Sequence, residues 1–265
     1  MNGCRVAPLM LISRTPVRVS FCGGGTDLST FYRLHPAGGL VTSVTLDAYI
    51  YVTVNKRFDD SVRVSYSRTE IVDNFEDLQH ELVREAMRKT GVTSGVEITT
   101  IADIPARGTG LGSSSTVTVG LLNALHSLAG RTVSAEQLAR EACDIEIEVL
   151  GQPIGKQDQY AAAYGGVNHI AFNSDDSVSV SPLELKQSTL DSMADEFCLV
   201  WTGLSRQAAP ILEQQSSNTA KSMGQLVAMR GQAETAAAAL LDGDLAGIGG
   251  LLGEAWGLKR SLAEG

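Results

Sequence analysis

The feature that most constrains this chain is the glycine- and serine-rich stretch Pro105-Ala-Arg-Gly-Thr-Gly-Leu-Gly-Ser-Ser-Ser-Thr116. A strand-like run at 96–101 precedes it, and an apolar helical pattern at 113–129 follows it. Glycines permit a close backbone approach to a ligand, and the first turn of a helix offers free N–H groups to an anion. The stretch therefore predicts a phosphate-binding loop or, alternatively, an ordinary strand-to-helix connection. It is not a Walker A loop, because no Lys follows the last glycine, and it lacks the G-x-G-x-x-G spacing of dinucleotide-binding folds.

Composition excludes several classes of protein. The 265 residues are 43% hydrophobic with a formal net charge of −9, which suits a globular protein and argues against a nucleic-acid partner. The four cysteines lack metal-binding spacing, and no apolar run reaches the length of a membrane span. We therefore expect a cytoplasmic protein with no membrane partner. The sequence leaves the oligomeric state open, with a homodimer among the alternatives.

A second candidate site follows the first predicted strand, residues 9–22, where apolar and polar side chains alternate. The strand leads into Gly23-Gly-Gly-Thr-Asp27, which exposes N–H groups and adds a hydroxyl and a carboxylate. The turn is either a ligand-binding site or a plain turn in which Thr26 or Asp27 caps a helix.

One carboxylate falls on the apolar side of a predicted helix that begins after Ser134. Glu146 lies near the middle of that face, whereas Glu141, Asp144 and Glu148 lie opposite. A lone carboxylate in an apolar face needs a partner, which is either a metal ion or a buried Arg or Lys. The apolar face itself consists of Leu138, Ala142, Ile145 and Val149.

Two later segments offer further candidates. Asp158 stands in a Gly- and Pro-rich loop, where it serves chemistry or simply forms a turn or cap. Thr202-Gly-Leu-Ser-Arg206 opens a helix and is a second anion site or a simple cap with a solvated Arg206. Residues 197–201 just before it read as a buried strand, and 40–54 and 61–67 earlier in the chain read as strands. A helix capped by Asn74 is expected to end at Gly91.

Together, three segments resemble the motifs of the GHMP kinases, a family named for galactose, homoserine, mevalonate and phosphomevalonate. Residues 16–27 resemble the first motif, 105–115 the phosphate loop, and 151–158 the segment with the catalytic Asp. Residues 14–27 and 150–160 are similar to the subgroup of D-glycero-D-manno-heptose 7-phosphate kinases. Gly24-Gly25 replaces the Glu-His of galactokinase-like members, which speaks against galactose as the substrate.

The resemblance implies an α+β, two-lobed GHMP kinase fold. An N-terminal ATP-binding domain, similar to domain 2 of ribosomal protein S5, would span residues 1–175. A ferredoxin-like C-terminal domain would occupy 176–265 and be incomplete, because the third glycine-rich motif of the family is missing before Gly265. We expect a protein that ends there to have weak or no activity and poor solubility, and an extended chain to regain both.

The resemblance also implies a role for each candidate residue. Asp158 would accept the proton of the sugar hydroxyl, with Arg18 beside it, and Ser114 and Glu146 would bind Mg²⁺. The sugar would lie at Gly24, Gly25, Thr26 and Asp27, and we add Arg206 as a candidate for the substrate phosphate. The ATP phosphates would be wrapped by Gly108, Thr109, Gly110, Leu111, Gly112, Ser113, Ser114 and Ser115.

The expected reaction is an ATP- and Mg²⁺-dependent transfer to the anomeric hydroxyl of a sugar phosphate. The resemblance points to D-glycero-D-manno-heptose 7-phosphate, which would give the 1,7-bisphosphate for nucleotide-activated heptose and surface polysaccharide. Two alternatives stay open, namely a kinase of another sugar such as fucose, and a non-catalytic sensor that binds sugar and ATP.

Overall fold

A computed structural model describes residues 10–105, 108–203 and 208–262. The strands of these ranges form one mixed sheet, in which only β3 and β5 run parallel to each other. In chain order they are β1 (Met10–Cys22), β2 (Gly39–Lys56), β3 (Val62–Ser65), β4 (Thr69–Val72), β5 (Val96–Ala102), β6 (Val167–Phe172) and β7 (Val178–Pro182).

Helices of varied length cover the sheet. They are α1 (Ser29–Tyr32), α2 (Glu81–Thr90), α3 (Ser113–Leu128), α4 (Ala135–Cys143), α5 (Gln157–Tyr164), α6 (Gln187–Glu196), α7 (Ala208–Ser217), α8 (Met223–Asp242) and α9 (Leu245–Arg260). Within the described ranges, no helix combines the length and the apolar character needed to cross a membrane. The mixture of helices and strands confirms the predicted α+β class.

The sheet is organised around β2, which is 18 residues long and rich in Val, Thr, Ile and Tyr. One edge of β2 pairs antiparallel with β1, the strand that carries Arg18. The other edge is divided, because its C-terminal half pairs with β5 and its N-terminal half pairs with β6. One strand therefore joins the element before the glycine loop to the element after α5.

The core forms on both faces of this sheet, as the alternation of side chains along a strand requires. Leu40 packs in the cluster that includes Ala233 and Ile248 of α8 and α9, whereas its neighbour Val41 packs with Tyr160 of α5. A third cluster joins β2, β3 and β5 to α2, α3 and α4. Both α5 and α9 are thereby held against the sheet from opposite sides.

Three expectations about secondary structure need correction. Residues 197–201 form no strand, and Leu199, Val200 and Trp201 are exposed, because an apolar run alone does not supply a neighbouring strand. Asn74 caps a short 3₁₀ turn, Phe75–Asp77, rather than the start of α2. The helix after Ser134 becomes a π-helix at Asp144–Val149, whose wider turn leaves Val149 exposed instead of in the apolar face.

The proposed boundary between domains at residue 175 falls in the turn between β6 and β7, which pair antiparallel. The described helices after that boundary include α8 and α9, which contact β1 or β2 of the same sheet. The division into domains stays a prediction.

The two faces of β5 give a direct test of the core. Ile98 is buried in the cluster under α2 and α3, whereas Ile101 of the same strand is 60% exposed. We expect Ile98→Ala to lower the free energy of unfolding by about 2–5 kcal/mol, because it leaves a cavity. Ile101→Ala should cost less than about 0.5 kcal/mol, since most of that side chain is in solvent and no cavity forms. Urea denaturation of both variants checks this, and similar losses would contradict the assignment of faces.

Candidate active site

The glycine-rich loop ends at the start of a helix whose first amides are free. Gly108, Gly110 and Gly112 have φ angles of 71°, 73° and 75°, a backbone conformation that other residues rarely adopt. Helix α3 then begins at Ser113. Its N-cap residue is Gly112, which has no side chain to accept a hydrogen bond from the first N–H groups of the helix. The uncapped N–H groups and the helix dipole can therefore bind an anion at this end.

Arg18 connects the loop to a carboxylate. Its Nε and Nη2 donate to Asp158 Oδ1 at 2.8 and 2.5 Å, and its Nη1 donates to the carbonyl oxygen of Gly110 at 2.7 Å. The Arg18 backbone N–H also donates to Leu111 O at 3.2 Å. Charge-assisted hydrogen bonds of this kind fix side-chain orientation as well as distance. The structure thus brings Arg18, Asp158 and the glycine loop together.

The second carboxylate oxygen of Asp158 points at the end of that loop. A methyl group added at Gly112 would stand 3.1 Å from Asp158 Oδ2. Among the described residues, Oδ2 accepts no hydrogen bond, whereas Oδ1 is held by Arg18. One oxygen of Asp158 is therefore fixed, and the other is available beside the start of α3.

Glu146 is completely buried, as its place on the helix face predicted. Ser114 Oγ donates to its Oε1 at 2.6 Å, and Gln159 Nε2 donates to its Oε2 at 2.7 Å. Burial raises the pKa of the Glu146 carboxyl, and its hydrogen bonds with Ser114 and Gln159 oppose that rise. In the part of the chain that the structure describes, no Lys, Arg or His lies within 4.0 Å of this carboxylate. The alternative of a buried basic partner for Glu146 therefore finds no support.

The residues around Glu146 fit a magnesium ion. A hydroxyl and a carboxylate are oxygen ligands that Mg²⁺ prefers, and the remaining positions are normally filled by water and phosphate oxygens. The described residues contain no cluster of three or more His, Cys, Asp or Glu that could hold a metal alone. Ser114 and Glu146 would accordingly hold the ion together with the nucleotide.

The turn after β1 uses its polar groups internally. The Thr26 hydroxyl accepts from Leu40 N at 2.9 Å, while Asp27 accepts from Gly25 N at 2.9 Å and Gln157 N at 3.3 Å. Leu28 is the N-cap of α1, so neither Thr26 nor Asp27 has the capping role that we left open. Burial first, and then the charge of Asp158, raises the pKa of the Asp27 carboxyl. Asp27 thereby fixes the turn against the start of α5.

Several residues at the site were not singled out from the sequence. Gln159 binds Glu146, and Gln157 accepts a hydrogen bond from Ser20 Oγ at 2.5 Å. Lys259 and Gln215 approach the glycines of the first turn from α9 and α7. Of these residues, only Gln157 and Gln159 could have been identified from the sequence, because they flank Asp158 in the chain. Arg206 lies outside the described residues.

Because Asp27 contacts the loop before α5, we predict that Gly155 in that loop does not tolerate a side chain. A methyl group added at Gly155 would lie 1.9 Å from Asp27 Oδ2, whereas one added at Gly224 meets no atom within 4 Å. We expect Gly155→Ala to cost about 1–3 kcal/mol of stability, because the buried carboxylate must move. Gly224→Ala should be neutral or stabilising by up to about 1 kcal/mol. Thermal unfolding checks the pair, and equal stability of the two variants would show that this packing is not tight.

Comparison with known proteins finds kinases among the relatives of this chain. Residues 77–166 match the family model of the GHMP kinases N terminal domain. The D-glycero-alpha-D-manno-heptose 7-phosphate kinase of Campylobacter jejuni is 29% identical over 269 residues, which cover 95% of this chain and 78% of that protein. The bifunctional fucokinase/GDP-fucose pyrophosphorylase of Arabidopsis thaliana is 25% identical and is covered over only 26% of its length.

A solved structure agrees in fold and in sequence. The D-glycero-D-manno-heptose 1-phosphate kinase from Bacteroides thetaiotaomicron superposes with a TM-score of 0.77 and 27% identity. The match covers 95% of this chain and 79% of that one. With a matched N-terminal domain of GHMP kinases, a shared fold and kinases as relatives, the chain is similar to GHMP kinases and is a phosphotransferase with an alcohol group as acceptor.

Proposed function

We propose that this protein transfers the γ-phosphoryl group of ATP to a hydroxyl of a heptose phosphate. The observation that carries the proposal is the position of Asp158, which Arg18 holds by one oxygen beside the glycine loop. Phosphoryl transfer depends chiefly on positioning and on charge stabilisation, with one group to orient the attacking hydroxyl. Asp158 meets that requirement, because its Oδ2 is unpaired among the described residues and faces Gly112.

Each part of the site has a distinct task in this proposal. The loop from Gly108 to Ser115 wraps the ATP phosphates with its N–H groups, and Asp158 Oδ2 accepts the proton of the attacking hydroxyl. Arg18 keeps the carboxylate in place and adds positive charge near the transferred group. Ser114 and Glu146 would hold Mg²⁺, which would supply neutralisation of charge on the phosphates. The turn at Gly24, Gly25, Thr26 and Asp27 holds the sugar.

The acceptor is the finer part of the proposal. One relative is named for heptose 7-phosphate and another for heptose 1-phosphate, so the two names differ in which hydroxyl is free. We propose D-glycero-D-manno-heptose 7-phosphate as the acceptor and its anomeric hydroxyl as the nucleophile, in the cytoplasm, where ATP is supplied. The product would be the 1,7-bisphosphate, a precursor of nucleotide-activated heptose for surface polysaccharide.

Two alternative functions can be distinguished from this one by an assay of ADP release. A fucose kinase is suggested by the fucokinase relative. A non-catalytic sensor would bind sugar and ATP without releasing ADP, and the free oxygen of Asp158 speaks for turnover instead.

The test is ADP release with a panel of acceptors and purified protein. The panel contains heptose 7-phosphate, heptose 1-phosphate, unphosphorylated heptose and fucose, with ATP and Mg²⁺ present throughout. We expect the highest kcat/KM with heptose 7-phosphate, and the phosphorus NMR spectrum of the product should show a new anomeric phosphate. Preference for fucose would replace the proposed substrate, and binding of sugar and ATP without ADP release would favour the sensor.

The proposed base gives the first prediction from this assignment. Asp158→Asn keeps the shape of the side chain but removes the carboxylate, so kcat should fall by about 10²–10⁴-fold. The KM for ATP should change little, because the loop and α3 stay intact. Asp195→Asn, at an exposed position of α6, is the control and should retain full activity. Steady-state kinetics decide, and a kcat near that of the control would remove Asp158 from the reaction.

The metal site gives the second prediction. Glu146 is buried against Ser114, whereas Glu148, two residues later, is exposed. We expect Glu146→Gln to raise the Mg²⁺ concentration needed for half-maximal activity by about 10-fold or more, since a charged oxygen ligand is lost. Glu148→Gln should leave that concentration unchanged. Magnesium titrations of both variants are the measurement, and a larger effect at Glu148 would contradict the assignment.

A further inference from the structure

Two helices from the C-terminal part of the chain bring side chains to the turn after β1. A methyl group added at Gly24 would stand 3.4 Å from Lys259 Nζ of α9. One added at Gly25 would stand 2.2 Å from Gln215 Nε2 of α7. These two adjacent positions therefore face Lys259 and Gln215, which fill the space that side chains at 24 and 25 would need.

The ammonium of Lys259 is not engaged by a carboxylate of the described residues. Among the described residues it makes no ion pair within 4.0 Å, whereas the guanidinium of Arg18 is engaged by Asp158 and Gly110. The residue as a whole is exposed, whereas burial of its ammonium lowers the pKa of Lys259. Its neighbour Arg260 is exposed as well, and no contact of Arg260 with the site is seen.

The contact with Gly24 puts the ammonium at the turn after β1, which is the proposed acceptor side of the site. After burial, the charges that act on the pKa of Lys259 are those of Asp27, which raises it, Arg18, which lowers it, and Asp158, which raises it. A phosphate group near two carboxylates is repelled unless a cation compensates. Lys259 supplies that cation at the turn, and an acceptor bound at the turn could also reach Asp158.

Gln215 is a second, independent sign of a polar ligand at this turn. The side chain is 2% exposed, and its Nε2 has no hydrogen-bond partner among the described residues. An unpaired buried donor is costly, so it is normally satisfied by a ligand or by water. The Gln215 donor approaches Gly25, and the Lys259 ammonium approaches the adjacent Gly24.

We propose that Lys259 binds the phosphate group of the acceptor and so determines the preference for a phosphorylated sugar. The inference rests on the proposed function, because it requires an acceptor that carries a phosphate. The sugar would then extend from Asp158, at its reacting hydroxyl, across the Gly24–Gly25 turn to α9. Lys259 is a specificity-determining residue, and it takes no part in the transfer of the proton.

The experiment compares Lys259→Gln, Lys259→Arg and the control Arg260→Gln with the unaltered chain. Each protein is assayed with heptose 7-phosphate and with unphosphorylated heptose, and KM is measured for each sugar and for ATP. We expect Lys259→Gln to raise the KM for heptose 7-phosphate by about 10- to 100-fold, the effect of losing a hydrogen bond to a charged group. Its KM for ATP, its kcat and its kinetics with unphosphorylated heptose should stay within about 2-fold.

The remaining variants and outcomes separate the explanations. Lys259→Arg keeps the charge and should retain most of the preference for the phosphorylated sugar, while Arg260→Gln should match the unaltered chain. An equal rise in the KM for ATP would show that Lys259 binds nucleotide phosphate, and an unchanged preference in Lys259→Gln would remove it from the acceptor site. If the unaltered chain itself shows no preference for heptose 7-phosphate over heptose, the proposed substrate fails, and this inference fails with it.

Discussion

The contact on which the rest of the site depends is the one that Arg18 makes with Asp158 and Gly110. It joins a strand, the glycine loop and α5, three elements that the chain otherwise connects only through long intervening segments. A guanidinium can serve three acceptors in fixed directions, which the single ammonium of a lysine cannot do with the same geometry. The distance from Asp158, the proposed proton acceptor, to the glycine loop is therefore set by one side chain on a rigid strand.

Close backbone approach is the second constraint, and it shapes the site as much as any charged group does. Asp27 packs against Gly155, Asp158 packs against Gly112, and Lys259 and Gln215 pack against Gly24 and Gly25. In each case the absence of a side chain lets a polar group from elsewhere in the chain occupy the space. The glycines thus determine which polar atoms meet, in addition to the turns that their backbone allows.

Sequence patterns predicted the features that depend on residues close together in the chain. The strand alternation before Cys22, the helix after Gly112 and the burial of Glu146 all agree with the structure. The π-helical turn that exposes Val149 was missed, since a regular period of 100° per residue assumes an unbroken α-helix. Lys259 was missed for a different reason. Its proposed role depends on how α9 packs across β1, and the sequence around position 259 does not predict that packing.

The divided edge of β2 has a consequence for the order in which the chain can fold. The pairing of β1 with the other edge of β2 closes a short loop, whereas the pairing of the divided edge with β6 brings together residues more than a hundred positions apart, as Val41 and Ile170 show. Loop closure costs more entropy as the intervening chain lengthens, and contacts distant in sequence form slowly. Arg18 precedes that long loop and Asp158 lies near its C-terminal end, so their contact depends on the late pairing. A partly folded chain can therefore hold the β1–β2 ribbon while it still lacks the active site.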